Sequence, residues 1–395
     1  MGAFFRFVHC ADLHLGSRFR GLSQSDPARA AELRGAVFRS FSRIVDAGIS
    51  EGADCMFVSG DAFDEGTVTP RTRAFLADEL RRFGRPVFIC RGNHDPRTDF
   101  EAAIPYPPNV HEFGTEPERV PIPGVPDAEA VGASFRDWHE ERNLPSMLRG
   151  TPGMFTVACV HCDVDNPSAE YAYSPCSRSD LLGRGVDYWA LGHIHKRAVL
   201  SEDPWIVYPG NIQGRSFRET GEKGAYIVTV EDGRVAEARF VPTQEVAWYD
   251  EEFDITGLDL DGLAEAVSSR VPRGSALRAT LTGSGPLDRA ARRDPAGMAS
   301  VLSSRTGVEV ARVDAMSTES VDVDARRGGR DMAGLAISCG DSLKGSGREA
   351  ILGVIRANAV MRPRMEFFES LSDAQLEALV DSAVRSLASS MEAGR

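Results

Sequence analysis

The feature that most restricts this chain is a repeated juxtaposition. An apolar run short enough to be one strand hands over at once to histidine, aspartate or asparagine, and this happens five times. Phe4 to Cys10 runs into Asp12 and His14; Cys55 to Ser59 into Gly60-Asp61; Pro86 to Cys90 into Arg91-Gly92-Asn93-His94-Asp95. Thr156 to Val160 ends in His161, and Tyr188 to Leu191 in Gly192-His193-Ile194-His195. Runs apolar throughout, rather than at alternate positions, read as strands buried on both faces. Between the first three lie two helical patterns. One is opened by Ser25-Asp26-Pro27 and carries Leu33, Val37, Phe41, Ile44 and Val45; the other covers about Arg71 to Phe83. Strand, helix, strand, helix, strand is the rhythm of a parallel sheet, in which ligands collect at the carboxyl ends of the strands. The polar clusters all fall there.

Any one of these histidines alone reads better as a core residue satisfied by hydrogen bonds, and Asn93-His94-Asp95 alone as a surface turn. Five of the eight histidines (His14, His94, His161, His193 and His195) together with Asp12, Asp61 and Asn93 are another matter. So many polar groups are costly to bury unless they bind something. Mixed imidazole and carboxylate donors suit Mn, Fe or Zn. A thiol site is disfavoured: Cys159-Val160-His161-Cys162 is a lone CxxC with no second pair at zinc-site spacing. His9, His111 and His139 lack such surroundings.

With 395 residues the chain is expected to hold two or three domains. Short strands are expected between Asn109 and Ser134, a long surface loop over Asp163 to Gly185, and a strand at Ala225 to Val230 after a loop-rich stretch. The first domain is expected to span 1–243 and a small α/β domain 244–321. The latter has strands at Trp248 to Ile255, Ala276 to Leu281 and Val308 to Val313, and helices at Leu260 to Ser269 and Pro295 to Ser304. Charged, Gly-rich sequence from Asp322 to Arg330 suggests a linker over 322–346, and 347–395 a helical tail. Ser372 and Gln375 form a capping box ahead of a stripe of Leu376, Leu379, Val380, Ala383, Val384, Leu387 and Met391. Packing on its own protein or docking on another chain would both use that stripe.

The formal net charge of −13 argues against nucleic acid held by a broad basic surface, though ions at an active site or a partner subunit can supply positive charge. Seven cysteines without a regular framework argue against a secreted disulfide scaffold. With no signal-like or membrane-length apolar run, a cytoplasmic protein is expected.

Asp12-x-His14, Gly60-Asp61, Gly92-Asn93-His94-Asp95, His161 and Gly192-His193-Ile194-His195, in that order over half the chain, resemble the signature of the calcineurin-like metallophosphoesterase superfamily. The resemblance implies a four-layer αββα sandwich and a two-metal site. Asp12, His14 and His195 would hold the first ion, Asn93, His161 and His193 the second, and Asp61 would bridge them. His94 would lie beside the second ion without binding it, stabilising the transition state or protonating the leaving oxygen, with Asp95 orienting it. Protein Ser/Thr phosphatases carry Arg-Gly after the second-motif Asp and Asn-His-Glu in the third, unlike this chain. The opening Val8 to Gly16 and the Tyr208-Pro209-Gly210-Asn211 to Gly221-Glu222-Lys223-Gly224 segment resemble instead the SbcD-type DNA repair nucleases, a group that includes the MRN-complex nuclease and YhaO-like exonucleases. That resemblance implies a Mn-dependent DNA exo- or endonuclease subunit, a capping domain, a tail docking on an SMC-like ATPase, and dimers in many members. The alternatives are a phosphodiesterase for small molecules or cyclic nucleotides, and an assembly subunit with a vestigial site.

Overall fold

A computed structural model describes residues 4–17, 27–64, 68–96, 104–165, 173–317 and 323–393. Ser25 and Asp26, expected to open the first helix, lie outside the described residues, as does part of the Asp163 to Gly185 insertion. By its contacts the chain divides into two units, Met1–Tyr249 and Asp250–Arg395.

The first unit contains two six-stranded sheets. One runs in the order β14 (Arg234–Pro242), β13 (Gly224–Glu231), β1 (Phe5–Cys10), β2 (Cys55–Ser59), β3 (Val87–Cys90), β4 (Val110–Glu112). The other runs β11 (Ala198–Glu202), β12 (Trp205–Tyr208), β10 (Tyr188–Gly192), β7 (Phe155–His161), β6 (Ala128–Ala133), β5 (Glu118–Pro121). In each the central strands are parallel and antiparallel strands close an edge. A two-residue pair, β8 (Asp163–Val164) with β9 (Pro175–Cys176), sits within the insertion expected to be a loop.

The apolar runs explain the layering. With a period of two, Phe5, Phe7, Cys55, Phe57, Phe88 and Cys90 of the first sheet face Phe155, Val157, Cys159, Tyr188 and Ala190 of the second in one core. The intervening Val8, Cys10, Met56, Val58, Val87 and Ile89 pack on Val37, Phe41, Ile44, Leu76 and Leu80 of the helices Pro27–Ser50 and Pro70–Phe83. On the far side Ala158, Val160, Trp189 and Leu191 meet Leu144, Leu148 and Leu181 around the one-turn helices Leu144–Met147 and Arg178–Leu181. Helix, sheet, sheet, helix is the expected sandwich. Its β1, β2, β3, β7 and β10 end on one edge.

In the first unit, Gln213 Oε1 accepts from the N–H of Glu245 and Val246 at 2.7 and 3.2 Å, and Trp248 Nε1 donates to Gly214 at 2.7 Å. These bonds carry it past Thr243, where the sequence suggested a break.

In the second unit, apart from the first two residues of β15, β15 (Trp248–Asp254), β16 (Ala276–Thr282) and β17 (Glu309–Ala315) form one sheet, with helices Leu260–Arg270, Leu287–Arg293 and Pro295–Thr306 between strands. The linker expected over 322–346 is instead largely the helix Met332–Gly345, capped by Asp331. Gly340 serves close packing rather than flexibility: a Cβ there would lie 2.3 Å from Val384 of the last helix, Asp373–Ala393. Ser372 and Gln375 make the expected reciprocal cap, with bonds of 2.8 and 3.3 Å. Leu376 and Val380 of the stripe are buried against Ile351, Leu352, Ile355 and Phe368, whereas Leu379 and Leu387 are 39% and 48% exposed. Among the described residues no helix is long and apolar enough to cross a membrane.

Candidate metal centre

Three of the five strand ends, those after β1, β2 and β10, contribute through a backbone held in an unusual conformation. Asp12, His14, Asp61 and His193 all have positive φ, at 52°, 46°, 52° and 103°. Non-glycine residues adopt such angles at a cost of order 1–3 kcal/mol each, and persist there when their surroundings fix them. Here the fixing bonds are Asp12 N–H to Gly60 O (3.0 Å) and His14 N–H to Asp61 O (2.9 Å), which stitch the loop after β1 to the loop after β2. His193 N–H donates to Asp12 Oδ1 at 3.1 Å, joining the second sheet to the first. Gly192 allows that approach, because a Cβ there would lie 1.7 Å from Ser59 O.

The expected ligands converge in two groups, and a third set of possible donors, His14, Asp64 and His94, shares His14 with the first. Donor atoms of Asp12, His14 and His195 lie within 4.8 Å of one another, as do those of Asp12, Asp61 and His161. Asn93 Oδ1 is 3.1 Å from His161 Nε2 and 3.2 Å from His193 Nδ1. Asp61 Oδ2 lies between the groups, 3.8 Å from His14 Nε2 and 3.5 Å from His161 Nε2. All seven positions expected to form a metal site therefore meet at one place.

The tautomers decide what this place can hold. His14 Nδ1 meets Asp64 Oδ1 at 2.7 Å and His195 Nδ1 meets Glu219 Oε1 at 2.8 Å, so each Nδ1 carries the proton. In the neutral form that ligation requires, both Nε2 atoms then present lone pairs, and they face each other at 2.9 Å. His161 repeats the arrangement: Nδ1 donates to Ser59 O at 2.9 Å, leaving Nε2 as a lone pair toward Asn93 and Asp61 oxygens. Lone pairs aimed at one another in a buried site repel unless a cation lies among them. Burial lowers the pKa of His14 to about 4 and of His161 and His193 to about 3, so all three rings are neutral, the ligating form, near pH 7. Burial pushes the Asp12 carboxyl up to about 7, and a cation beside it would reverse that shift. Neutral imidazole, carboxylate and amide oxygens without thiolate fit hard to borderline divalent ions.

His94 stands apart. Its N–H donates to Asp61 Oδ1 at 2.9 Å and its Nδ1 meets Asp64 Oδ1 at 2.9 Å, while 45% of the side chain is exposed. Burial lowers its pKa, but the Asp64 hydrogen bond and the charges of Asp61 and Asp64 outweigh this and the net shift is upward. The expected partner, Asp95, does not orient this ring. Its carboxylate accepts instead from the N–H of Gly92 (2.9 Å), Ala62 (2.7 Å) and Phe63 (3.3 Å), clasping the loops after β2 and β3. At i+1 in a tight turn the two side chains diverge, and backbone donors claim the carboxylate.

Sequence reasoning assigned no role to Asp64, Glu219 or Arg215, although all three contact the cluster. Asp64 accepts from His14 and His94 together; burial opposes its charge, but these bonds hold it well below the usual carboxylate range. The only local signal was its position three residues after Asp61 on the same strand-end loop. Glu219 lies in a loop 24 residues beyond His195, where nothing in the sequence links the two.

A family model for the calcineurin-like phosphoesterases matches residues 5–197, a span containing every residue of both groups. The chain carries a calcineurin-like phosphoesterase domain. Domains of this family use a dinuclear divalent metal site, and this one has the donors for it. Full-length relatives extend the likeness beyond residue 197. The uncharacterized metallophosphoesterase YhaO of Bacillus subtilis is 35% identical over 63% of this chain and 63% of its own. The DNA double-strand break repair protein Mre11 of Aeropyrum pernix is 26% identical over 60% of this chain and 61% of its own. The SbcD component of the nuclease SbcCD of Escherichia coli is 23% identical over 58% of this chain and 66% of its own. The matched region thus covers just under two thirds of each relative.

Proposed function

We propose that the chain is a two-metal DNA phosphodiesterase of the cytoplasm, the nuclease subunit of a repair assembly that works with an SMC-like ATPase and can pair as a homodimer. Mn is the first candidate metal, with Fe or Zn as alternatives. The reading rests above all on the opposed Nε2 lone pairs of His14 and His195, an arrangement that makes sense around a cation. In it Asp12, His14 and His195 would hold one ion, Asn93, His161 and His193 the other, and Asp61 would serve both. When bound, such a pair lowers the pKa of water and neutralises charge on phosphoryl oxygens. The chain supplies the rest. His94, exposed and with its pKa raised, holds a proton for the leaving oxygen, and Asp64 keeps its ring turned toward the site.

DNA as substrate is favoured by the names of two relatives, a break-repair protein and a component of a nuclease. The second of those names describes one part of a larger nuclease, which supports a partner. A net charge of −13 favours the alternative of a small diester substrate.

The test is cleavage of linear duplex and single-stranded DNA with Mn²⁺, with and without the ATPase. Wild type should cleave, and EDTA should abolish cleavage. His94→Ala should keep two ions by metal analysis and lose ~10²-fold or more in rate, whereas His193→Ala should lose an ion as well. Absence of metal-dependent DNA cleavage by the wild type under both conditions refutes the reading, and fast turnover of small diesters beside it would establish the alternative.

A further inference from the structure

Arg215 lies behind the metal centre, its side chain only 16% exposed, and it touches both carboxylates that hold the proximal histidines. Nη1 reaches Ser17 Oγ at 3.0 Å and Asp64 Oδ2 at 3.4 Å, while Nη2 donates to Glu219 Oε1 at 2.9 Å. The Arg215 backbone N–H donates to Glu219 Oε2 at 2.7 Å. Ser17 also donates to Asp64. On the other side of these carboxylates, Asp64 holds His14 and His94, and Glu219 holds His195. Burial works against the Glu219 charge, but His195 and Arg215 keep its carboxyl well below the usual range. The same loop grips His195 twice more, through Lys223 Nζ to His195 O at 2.8 Å and Asn211 N–H to the same oxygen at 3.3 Å.

We infer that Arg215 is a positioning residue that ties Asp64 and Glu219 into one frame, so that His14, His195 and His94 keep a common orientation at the first metal group. Arginine suits the task because a planar guanidinium spans two carboxylates with separate donors, whereas lysine offers one point charge. Its donors are turned to Ser17, Asp64 and Glu219, which argues against a direct grip on substrate phosphate. This inference rests on the two-metal reading above.

Mn²⁺ binding to the full chain tests it, by calorimetric titration and by the spin-coupled electron paramagnetic resonance signal of a Mn pair. Wild type, Arg215→Ala, Arg215→Lys and the control Arg218→Ala, an exposed arginine of the same loop, are compared. Both Arg215 variants should retain one site within about threefold of wild type, bind the second ion ~10-fold or more weakly, and lose the coupled signal. Arg218→Ala should bind like wild type. Two ions bound with unchanged affinity in Arg215→Ala, or a raised KM for a small chromogenic diester with kcat intact, would overturn the inference. If Arg215→Ala fails to fold, Arg215→Lys decides: a normal coupled signal refutes the frame. Failure of the wild type to bind Mn²⁺ would instead bring down the metal-centre reading itself, a distinct result.

Discussion

Asp64 accepts from His14 Nδ1 at 2.7 Å and from His94 Nδ1 at 2.9 Å, so one carboxylate fixes a ring of the metal group and the ring proposed as proton donor. Asp64→Asn removes the charge and turns an amide N–H₂ toward the donors of either Ser17 and Arg215 or the histidines. Partners that orient metal ligands are typically worth 10–100-fold in affinity or activity. The variant should lose about 10²-fold in kcat on a chromogenic diester and bind Mn²⁺ more weakly. Asp95→Asn should show itself in the melting temperature instead, because the Asp95 carboxylate accepts from backbone N–H groups. Equal kcat losses in the two variants would contradict this division. The contrast also marks what the sequence disclosed. Asp12, His14, Asp61, Asn93, His161, His193 and His195 were legible because a polar residue directly after a buried strand has few other reasons to be there. Asp64, Glu219 and Arg215 were not, since a residue that orients a ring is defined by spatial proximity, and adjacency in sequence pointed to Asp95.

At the scale of elements, legibility followed burial. β1, β2, β3, β7 and β10 are buried on both faces and stood out as unbroken apolar runs. β14, mostly exposed, lacks that pattern, and the Asp232-Gly233 turn joining it to β13 was its only sign. The helix Met332–Gly345 was concealed by the charged, Gly-rich stretch Asp322 to Arg330 just ahead of it, which extended the linker reading over the helix itself. Close approach also governs how the sheets meet. The Cβ of Gly192→Ala would lie 1.7 Å from Ser59 O, a backbone atom that can move only if β10 and β2 separate at the site. Overpacking of this kind costs ~1–3 kcal/mol, and more where backbone must shift. Gly192→Ala should lose at least about 2 kcal/mol in urea unfolding and lose metal binding with it. Wild-type stability would mean that the sheets part more readily than their contacts imply.

At the scale of the whole molecule, charge and apolar surface raise separate questions. With a net charge of −13, this chain offers DNA little long-range attraction, and the proposed metal pair adds positive charge only locally. An ATPase partner that supplies the grip would reconcile a nuclease active site with an acidic chain. We propose that such a partner docks on the helical region, where a groove of about 710 Å³ is lined by Leu335, Cys339, Val354, Leu379, Leu387 and Met391 among others, with Leu335 and Val354 more than half exposed. An apolar stripe that was only core would not leave Leu379 and Leu387 open to water, while Leu376 and Val380 of the same helix already close the core beneath. Leu379→Glu combined with Leu387→Glu should therefore cost the isolated chain little, about 0.5 kcal/mol per exposed site, and leave diester hydrolysis unchanged. The same pair should weaken association with the ATPase by ~2 kcal/mol or more, about 30-fold, and reduce DNA degradation by the assembly in proportion. Size-exclusion binding and diester assays on one preparation separate the possibilities. Parallel loss of partner binding and diester hydrolysis would identify the face as core after all.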